Sequence, residues 1–258
     1  MAADASTTRI TDTAPSARSL LPRVSVVVPT LNEAAKLPHV FAELPDVFEV
    51  ILVDGFSTDG TIDVARRLRP DIRIITTNVR GKGAALCAGF AAVQGDIVVM
   101  LDADGSADPR EIDAFVAALS AGADFAKGSR FTDGGGSADI TRLRQFGNRA
   151  LNGIVNLLYG TDYSDLCYGY NAFWAHCLPH MNVDCSGFEV ETLINIRIAR
   201  AGLAVAEVPS FERERIHGAS NLRTFRDGLR VLRTICRERV RRVPGASGAQ
   251  YDRVLDAA

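Results

Sequence analysis

Two aspartates that lie two residues apart stand directly after an apolar run, and their spacing suits a metal site. The run covers residues 97–101, and the aspartates are Asp102 and Asp104, with Ala103 between them. Such a run predicts a buried strand, so both carboxylates lie at a strand end and can converge on one hard cation. Mg²⁺ and Mn²⁺ prefer such oxygen ligands and usually bridge to substrate phosphates. The pattern predicts Mg²⁺ or Mn²⁺ bound by Asp102 and Asp104; the alternative is a polar turn without a ligand.

The elements before this pair predict the sheet that positions it. Short apolar runs rich in β-branched residues occur at residues 24–28, 48–53 and 72–76, and helical patterns separate them. Strands that alternate with helices predict an α/β fold with a mostly parallel central sheet flanked by helices. In such sheets a ligand binds beyond the carboxyl ends of the strands. The polar, acidic and glycine-rich residues of this half of the chain lie at those ends.

Composition and charge exclude several classes of protein. The chain has 258 residues, of which 47% are hydrophobic, and a net charge of −2 from 29 basic and 31 acidic residues. These values are typical of a globular protein and exclude a nucleic-acid binder driven by overall charge. The five cysteines include no CxxC pair, so neither a disulfide framework nor a cysteine zinc site is indicated. With no apolar stretch of membrane-spanning length and no signal peptide, we expect a reduced, cytoplasmic chain.

The C-terminal part predicts a basic amphipathic helix at residues 222–243. One face of this helix carries the apolar residues Leu222, Phe225, Leu229, Leu232 and Cys236. Residues 211–242 hold ten arginines and four acidic residues, and an arginine-rich amphipathic helix can lie on an anionic membrane surface. The alternative is that the apolar face packs on the rest of the domain or on a second subunit in a homo-oligomer. We expect a disordered tail at residues 1–22 and a flexible tail at residues 244–258.

Four motifs extend the case beyond the aspartate pair. They are VSVVVPTLNE at 24–33, ILVDGFSTDGT at 51–61, RGKGAAL at 80–86 and VVMLDADG at 98–105. In this order and spacing the sequence resembles family 2 glycosyltransferases, which have the nucleotide-sugar-binding GT-A fold. Three further segments, KGSRF at 127–131, GGG at 134–136 and EVPSFERERIHGASNL at 207–222, resemble the polyprenyl-phosphate (dolichyl-phosphate) hexosyltransferase branch. The resemblance covers about residues 22–235.

The resemblance implies a donor site for a nucleoside diphosphate hexose, with mannose or glucose as the sugar. The residues in donor-binding positions are Pro29, Leu31, Glu33, Asp54, Lys82, Asp102, Ala103 and Asp104. Two positions depart from the pattern. Leu31 stands where the branch often has Tyr, and Gly55 and Phe56 replace the stretch with the second aspartate of the VDDGS motif. These departures leave the choice between a GDP-sugar and a UDP-sugar open.

The resemblance also implies an acceptor phosphate held by Arg130, Arg144, Asn148 and Arg215. Asp104, Arg130 and Arg215 are then the catalytic residues. Because polyprenyl phosphate is already anionic, it needs no strong general base, and one in-line displacement at the anomeric carbon inverts its configuration. The resemblance divides the domain (23–221) into a donor half at 23–120 and an acceptor half at 121–221. If the acceptor is a membrane lipid, we expect the enzyme to associate peripherally with the inner face of the cell membrane.

Other functions remain open from the sequence. A soluble acceptor, such as a natural-product hydroxyl, a phosphorylated small molecule or a glycan, would use the same donor chemistry. A hydroxyl acceptor needs a carboxylate base, for which Asp165, Glu189 and Glu191 are the candidates. More remote alternatives are a sugar nucleotidyltransferase and a non-catalytic sugar-binding module.

Overall fold

The computed structural model describes residues 21–216 and 224–241. Its first half alternates strands and helices: β1 (Val24–Thr30), α1 (Leu37–Ala42), β2 (Glu49–Asp54), α2 (Thr61–Leu68), β3 (Arg73–Thr76), α3 (Lys82–Ala91), β4 (Ile97–Met100) and α4 (Ile112–Ser120). The second half continues with β5 (Phe125–Ser129), β6 (Gly136–Ser137), α5 (Arg142–Tyr159), β7 (Asn171–Trp174), α6 (Leu178–Met181), α7 (Val190–Arg200), β8 (Val205–Pro209), β9 (Phe211–Glu212) and α8 (Thr224–Val240). The predicted tails fall outside the described residues, apart from residues 21 and 22.

Seven strands form one sheet in the order β3-β2-β1-β4-β7-β5-β8, and β6 pairs with β9 separately. Neighbouring strands run parallel except at β7, which is antiparallel to both β4 and β5. The predicted mostly parallel α/β sheet is therefore confirmed. The sequence analysis did not predict β7, which joins the two halves of the sheet.

Alternation along the strands gives the sheet an apolar layer on each side. On β1, Val26 and Val28 face one layer, while Val27 faces the other. The first layer includes Leu37 and Phe115 and so packs α1 and α4 on the sheet. Helices α3 and α7 supply residues of the second layer. Since both faces are covered by helices, the carboxyl ends of the strands are the open edge where polar loops can meet a ligand.

Helices α5 and α8 lie outside these layers and pack on α7 and on each other. A third apolar cluster joins them through Val155 of α5, Ile196 of α7, and Val231 and Ile235 of α8. The hydroxyl of Tyr159 also donates a hydrogen bond to the Ile235 carbonyl at 2.8 Å. These contacts fix one side of each helix and leave the opposite side uncovered by the described residues.

The prediction that the apolar face of α8 packs on the rest of the domain is wrong. Phe225, Leu229, Leu232 and Cys236 are exposed, and Leu222 falls outside the described residues. The buried side instead combines Val231 and Ile235 with polar residues, including Glu238. This buried side also carries an ion pair, in which Arg197 of α7 donates to Glu238 from Nε at 3.0 Å and from Nη2 at 2.9 Å.

None of the helices within the described ranges combines the length and the apolar character that crossing a bilayer requires.

Candidate active site

A cleft of about 540 Å³ lies beyond the carboxyl ends of β1 and β4. Residues of α5, α7 and α8 form its other walls. The structure brings twelve of the predicted site residues together on its lining: Pro29, Leu31, Glu33, Lys82, Asp102, Ala103, Asp104, Arg130, Arg144, Asn148, Glu191 and Arg215. Three predicted residues, Asp54, Asp165 and Glu189, are not part of the lining.

The loops after β1 and β2 hold each other in place through polar side chains that the sequence analysis did not single out. Asn32, at a left-handed φ of 58°, accepts a hydrogen bond on Oδ1 from the Thr58 backbone at 2.8 Å. Ser57 Oγ in turn accepts from the Asn32 backbone at 2.8 Å. Asp59 accepts from Ala34 N at 3.0 Å. Hydrogen bonds with residues 57–59 thus hold the loop that carries Leu31 and Glu33 in place.

Asp54 is the last residue of β2, and only one of its two carboxylate oxygens accepts a hydrogen bond from the described part of the chain. Its Oδ2 accepts a hydrogen bond from Ser57 N at 3.0 Å. Its Oδ1 is buried and has no hydrogen-bond partner among the described residues. A buried acceptor without a partner is costly, but Asp54 is not part of the cleft lining, so its contact with a ligand stays a prediction.

Lys82 lies between two carboxylates at the start of α3. Its Nζ is 2.7 Å from an oxygen of Asp102 and 2.7 Å from Oε1 of Glu191. Burial lowers the pKa of Lys82, but the two carboxylates outweigh it, so the pKa is raised and the ammonium stays charged. Burial raises the pKa of Glu191 despite the opposing effect of Lys82. Lys82 therefore joins Asp102, on the donor side, to a buried carboxylate on α7.

The glycines beside Lys82 allow a close approach of two backbone segments. A side chain on Gly81 would collide with the Ser186 carbonyl, and one on Gly83 would meet the Cys185 carbonyl. Gly83 N donates to Ser186 O at 3.0 Å. Gly81 also has a φ of 119°, a region that other residues rarely adopt. The RGKG motif thus docks the start of α3 against the segment that leads into α7.

Asp104 is held by a serine and an arginine. Its Oδ1 accepts from Ser106 Oγ at 2.7 Å, and its Oδ2 accepts from Arg215 Nε at 2.6 Å. Arg215 Nη1 is also 3.3 Å from Asp139 Oδ2. Burial would raise the pKa of Asp104, but the bonds from Ser106 and Arg215 hold it below its usual value. Asp104 is therefore an ionised carboxylate that already binds a cationic group.

The aspartate pair fits a divalent cation whose coordination shell is completed by the substrate. No group of three or more His, Cys, Asp or Glu residues within the described parts of the chain forms a metal cage. Mg²⁺ usually keeps several waters and binds one or two carboxylates together with substrate phosphates. Asp102 and Asp104 provide such a donor set, and the guanidinium on Asp104 shows that this carboxylate accepts positive charge.

Arg130 reaches the cleft from the end of β5 and is gripped by two carboxylates. Its Nε and Nη2 donate to Asp165 at 2.7 and 3.0 Å, and its Nη1 donates to Glu212 Oε2 at 2.9 Å. Asn148 Nδ2 also donates to Asp165 Oδ1, at 2.9 Å. A guanidinium has five N–H groups, so Arg130 keeps two for a ligand. Burial raises the pKa of Asp165, but Arg130 outweighs it and lowers the pKa.

Each candidate base accepts at least one hydrogen bond or ion pair, but Oε2 of Glu189 is buried without a hydrogen-bond partner among the described residues. Asp165 is fully buried and binds Arg130 and Asn148, so it positions the acceptor-side residues. Glu191 binds Lys82. Glu189 lies at the start of α7, where its Oε1 accepts from Gly187 N at 3.3 Å. The sequence analysis missed Glu212 as a partner of Arg130, although it belongs to the same EVPSFERER motif as Arg215.

Five arginines contribute to the lining of the cleft, and one of them, Arg215, binds Asp104 directly. Arg130, Arg144, Arg215, Arg226 and Arg230 all line it. Arg144 is placed by the first turn of α5, where Thr141 Oγ1 accepts from the Arg144 backbone at 3.3 Å. The cleft therefore combines carboxylates that suit a cation with arginines that suit anionic groups such as phosphates.

This sheet, with its aspartate pair at the strand ends, is that of a GT-A glycosyltransferase. The chain belongs to glycosyl transferase family 2, whose sequence profile matches residues 25–182. It is 32% identical over 209 residues to glycosyltransferase AglJ of Haloferax volcanii, covering 80% of this chain and 68% of that protein. It is 33% identical over 215 residues to a polyprenol monophosphomannose synthase of Mycolicibacterium smegmatis, covering 78% and 81%.

A solved structure gives the same fold with ligands bound. Glucosyl-3-phosphoglycerate synthase of Mycobacterium tuberculosis, in complex with Mn²⁺, UDP and glucosyl-3-phosphoglycerate, superposes with a TM-score of 0.68. The two sequences are 26% identical, and the match covers 87% of this chain and 82% of that one. The same synthase has been crystallised with Mg²⁺ and UDP. Structural neighbours of this chain therefore bind a divalent metal ion and a nucleoside diphosphate.

Proposed function

We propose that this enzyme transfers a hexose, mannose or glucose, from a GDP- or UDP-sugar to polyprenyl phosphate, with inversion at the anomeric carbon. The observation that carries the proposal is the set of arginines in the cleft lining, together with the ion pairs that hold two of the three candidate bases, Asp165 with Arg130 and Glu191 with Lys82. An acceptor that arrives ionised needs positive charge and no base, whereas a hydroxyl needs a carboxylate to take its proton. The similarity to a polyprenol monophosphomannose synthase supports the same acceptor.

The proposed donor half comprises residues 23–120. Asp54 and the loop with Pro29, Leu31 and Glu33 bind the nucleoside, and Lys82 binds beside the donor diphosphate. A divalent cation on Asp102 and Asp104 neutralises charge on the leaving diphosphate when it is bound.

The proposed acceptor half comprises residues 121–221. Arg130, Arg144, Asn148 and Arg215 hold the acceptor phosphate in line with the anomeric carbon. One phosphate oxygen forms the new bond to that carbon, the bond to the donor diphosphate breaks, and the nucleoside diphosphate leaves with the bonding electrons. Arg215 contacts both halves, because it already binds Asp104.

The test is a partition assay with purified protein, Mn²⁺ or Mg²⁺, polyprenyl phosphate in detergent and a panel of radiolabelled sugar nucleotides. We expect label in the organic phase from one hexose donor, and its loss in Asp104→Ala and Arg130→Ala. Donor cleavage with all label left in water would refute the lipid acceptor.

A phosphorylated soluble acceptor is the second candidate. The likeness to glucosyl-3-phosphoglycerate synthase supports it, because the structure of that enzyme contains a phosphorylated product. Phosphoglycerate in the same assay distinguishes the two, since its product stays in the aqueous phase.

A further inference from the structure

Helices α5 and α8 each present a row of large apolar side chains to solvent. The exposed residues are Leu143, Phe146, Ile154 and Leu157 on α5, and Phe225, Leu229, Leu232 and Val240 on α8. Their spacings place each set on one helical face. Phe146, Leu157 and Phe225 are 72%, 85% and 83% exposed, so these side chains are almost fully in water.

The two rows lie on helices that pack together. Both helices pack on α7 and on each other through Val155, Val231 and Ile235. The exposed rows are on the faces of the two helices that these contacts leave uncovered. We call this surface the α5–α8 face, defined by the eight apolar residues above. Large apolar side chains exposed in rows of this kind indicate an interaction site in a folded protein.

The charge around the α5–α8 face selects the partner. The exposed charged residues on the two helices are all arginines: Arg142, Arg149, Arg226, Arg233, Arg237 and Arg239. Helix α5 has no acidic residue, and the two on α8, Asp227 and Glu238, are buried. The whole chain has a net charge of −2, so positive charge is concentrated here. A second copy of this face would set arginine against arginine, whereas an anionic bilayer offers negative head groups above an apolar interior.

The same helices form a wall of the cleft. Arg144, Gly147 and Leu151 of α5 line it, as do Arg226 and Arg230 of α8. A ligand whose phosphate lies in the cleft and whose tail lies in a bilayer would therefore pass beside these two helices.

We propose that the α5–α8 face docks on an anionic lipid bilayer and brings the cleft to the membrane surface. The docking is independent of the acceptor, while delivery of a membrane-embedded polyprenyl phosphate to the cleft rests on the proposed function. Apolar side chains enter the head-group region, and arginines contact lipid phosphates.

The test is flotation of the full-length protein with vesicles of phosphatidylcholine alone or mixed with phosphatidylglycerol, without polyprenyl phosphate. We expect binding that rises with the phosphatidylglycerol fraction and falls with added salt. Phe146→Ser with Leu157→Ser should weaken partitioning about a hundredfold, at about tenfold per buried side chain. Arg233→Gln with Arg239→Gln should weaken it about twenty-five-fold, at about fivefold per basic residue.

Matched controls come from α2, which also exposes apolar and basic side chains. Leu68→Ser and the pair Arg66→Gln and Arg67→Gln should leave vesicle binding unchanged. A short-chain, water-soluble polyprenyl phosphate checks that the variants on the α5–α8 face still fold and turn over. These variants should lose activity only on acceptor embedded in vesicles.

Equal binding to neutral and anionic vesicles would overturn the proposal. So would face variants that bind as tightly as the α2 controls, or a dimer that the Phe146 and Leu157 changes dissociate without any vesicle binding. If vesicle binding depends on the face but no lipid acceptor is glycosylated, the docking surface stands and the proposed function fails.

Discussion

Replacement of Asp165 by Asn tests whether this carboxylate positions Arg130 or acts as a base. Asp165 is fully buried and accepts hydrogen bonds from Arg130 at 2.7, 3.0 and 3.2 Å and from Asn148 at 2.9 Å. The Arg130 side chain is only 8% exposed. Asn removes the negative charge that compensates the buried guanidinium. It also replaces one acceptor oxygen by an NH₂ group, which faces the donors of Arg130 and Asn148.

The expected loss follows from the cost of a buried charge without its partner. Removing one member of a buried ion pair costs about 3–5 kcal/mol of unfolding free energy. Glu212 remains on Arg130, so we expect the lower end, about 3 kcal/mol. For a chain of this size such a loss lowers Tm by about 6–12 °C. Transfer should suffer mainly as a higher KM for the acceptor, because Arg130 loses its orientation.

Urea unfolding and acceptor kinetics measure both effects, with Asp162→Asn in the same loop as the exposed control. The pKa of Asp165 is lowered in the folded protein, so its charge stabilises the fold above the unfolded pKa and this contribution disappears as pH falls through the folded pKa. The difference between wild type and Asp165→Asn should therefore shrink below about pH 4. A variant as stable as wild type, with kcat reduced more than about a hundredfold, would refute the positioning role and indicate a base.

Three further results are expected. Glu191→Gln should lower kcat less than about tenfold, because loss of a general base would cost about a hundredfold or more; steady-state kinetics at saturating donor decides this. EDTA should abolish transfer, and added Mn²⁺ or Mg²⁺ should restore it. Asp104→Asn should raise the half-saturating metal concentration at least about tenfold. An unchanged metal dependence in this variant would contradict the assignment of Asp104 as a ligand. Gly81→Ala should lower the unfolding free energy by more than about 1 kcal/mol, because its side chain would meet Ser186, whereas Gly153→Ala on open α5 should not. Equal urea midpoints for these two variants would contradict the close-approach argument.

The parallel part of the fold could be predicted because its signals are local. Apolar runs and helical patterns alternate along residues 24–120, and each βαβ unit is continuous in sequence. Strand β7 could not be predicted in this way. It has four residues, and its place between β4 and β5 depends on antiparallel pairing with segments distant in sequence.

The chemistry of the carboxylates shows a similar limit. The spacing of Asp102 and Asp104 is visible in the sequence, as is their position after a strand. The pairing of Asp165 with Arg130, or of Glu191 with Lys82, depends on folding, since each partner lies on a different element. Sequence reasoning could therefore identify these residues as candidates, but could not tell a base from a charge partner.

The sequence predicts correctly that α8 is amphipathic, but it does not predict which face of the helix is buried. Both faces of the helix contain apolar residues, and the buried face is the one that forms the ion pair between Arg197 and Glu238. Usual practice assigns the more apolar stripe to the core. Here that stripe faces solvent, which is the observation behind the docking proposal.

The central claim is that the acceptor's nucleophile is an ionised phosphate held by arginines, with no general base. The most direct test compares kcat/KM for polyprenyl phosphate and for the corresponding polyprenol, with the same sugar nucleotide and metal. We predict transfer to the phosphate, loss of that transfer in Arg130→Ala, and no product from the alcohol. Glycosylation of the polyprenol at a comparable rate would contradict the account.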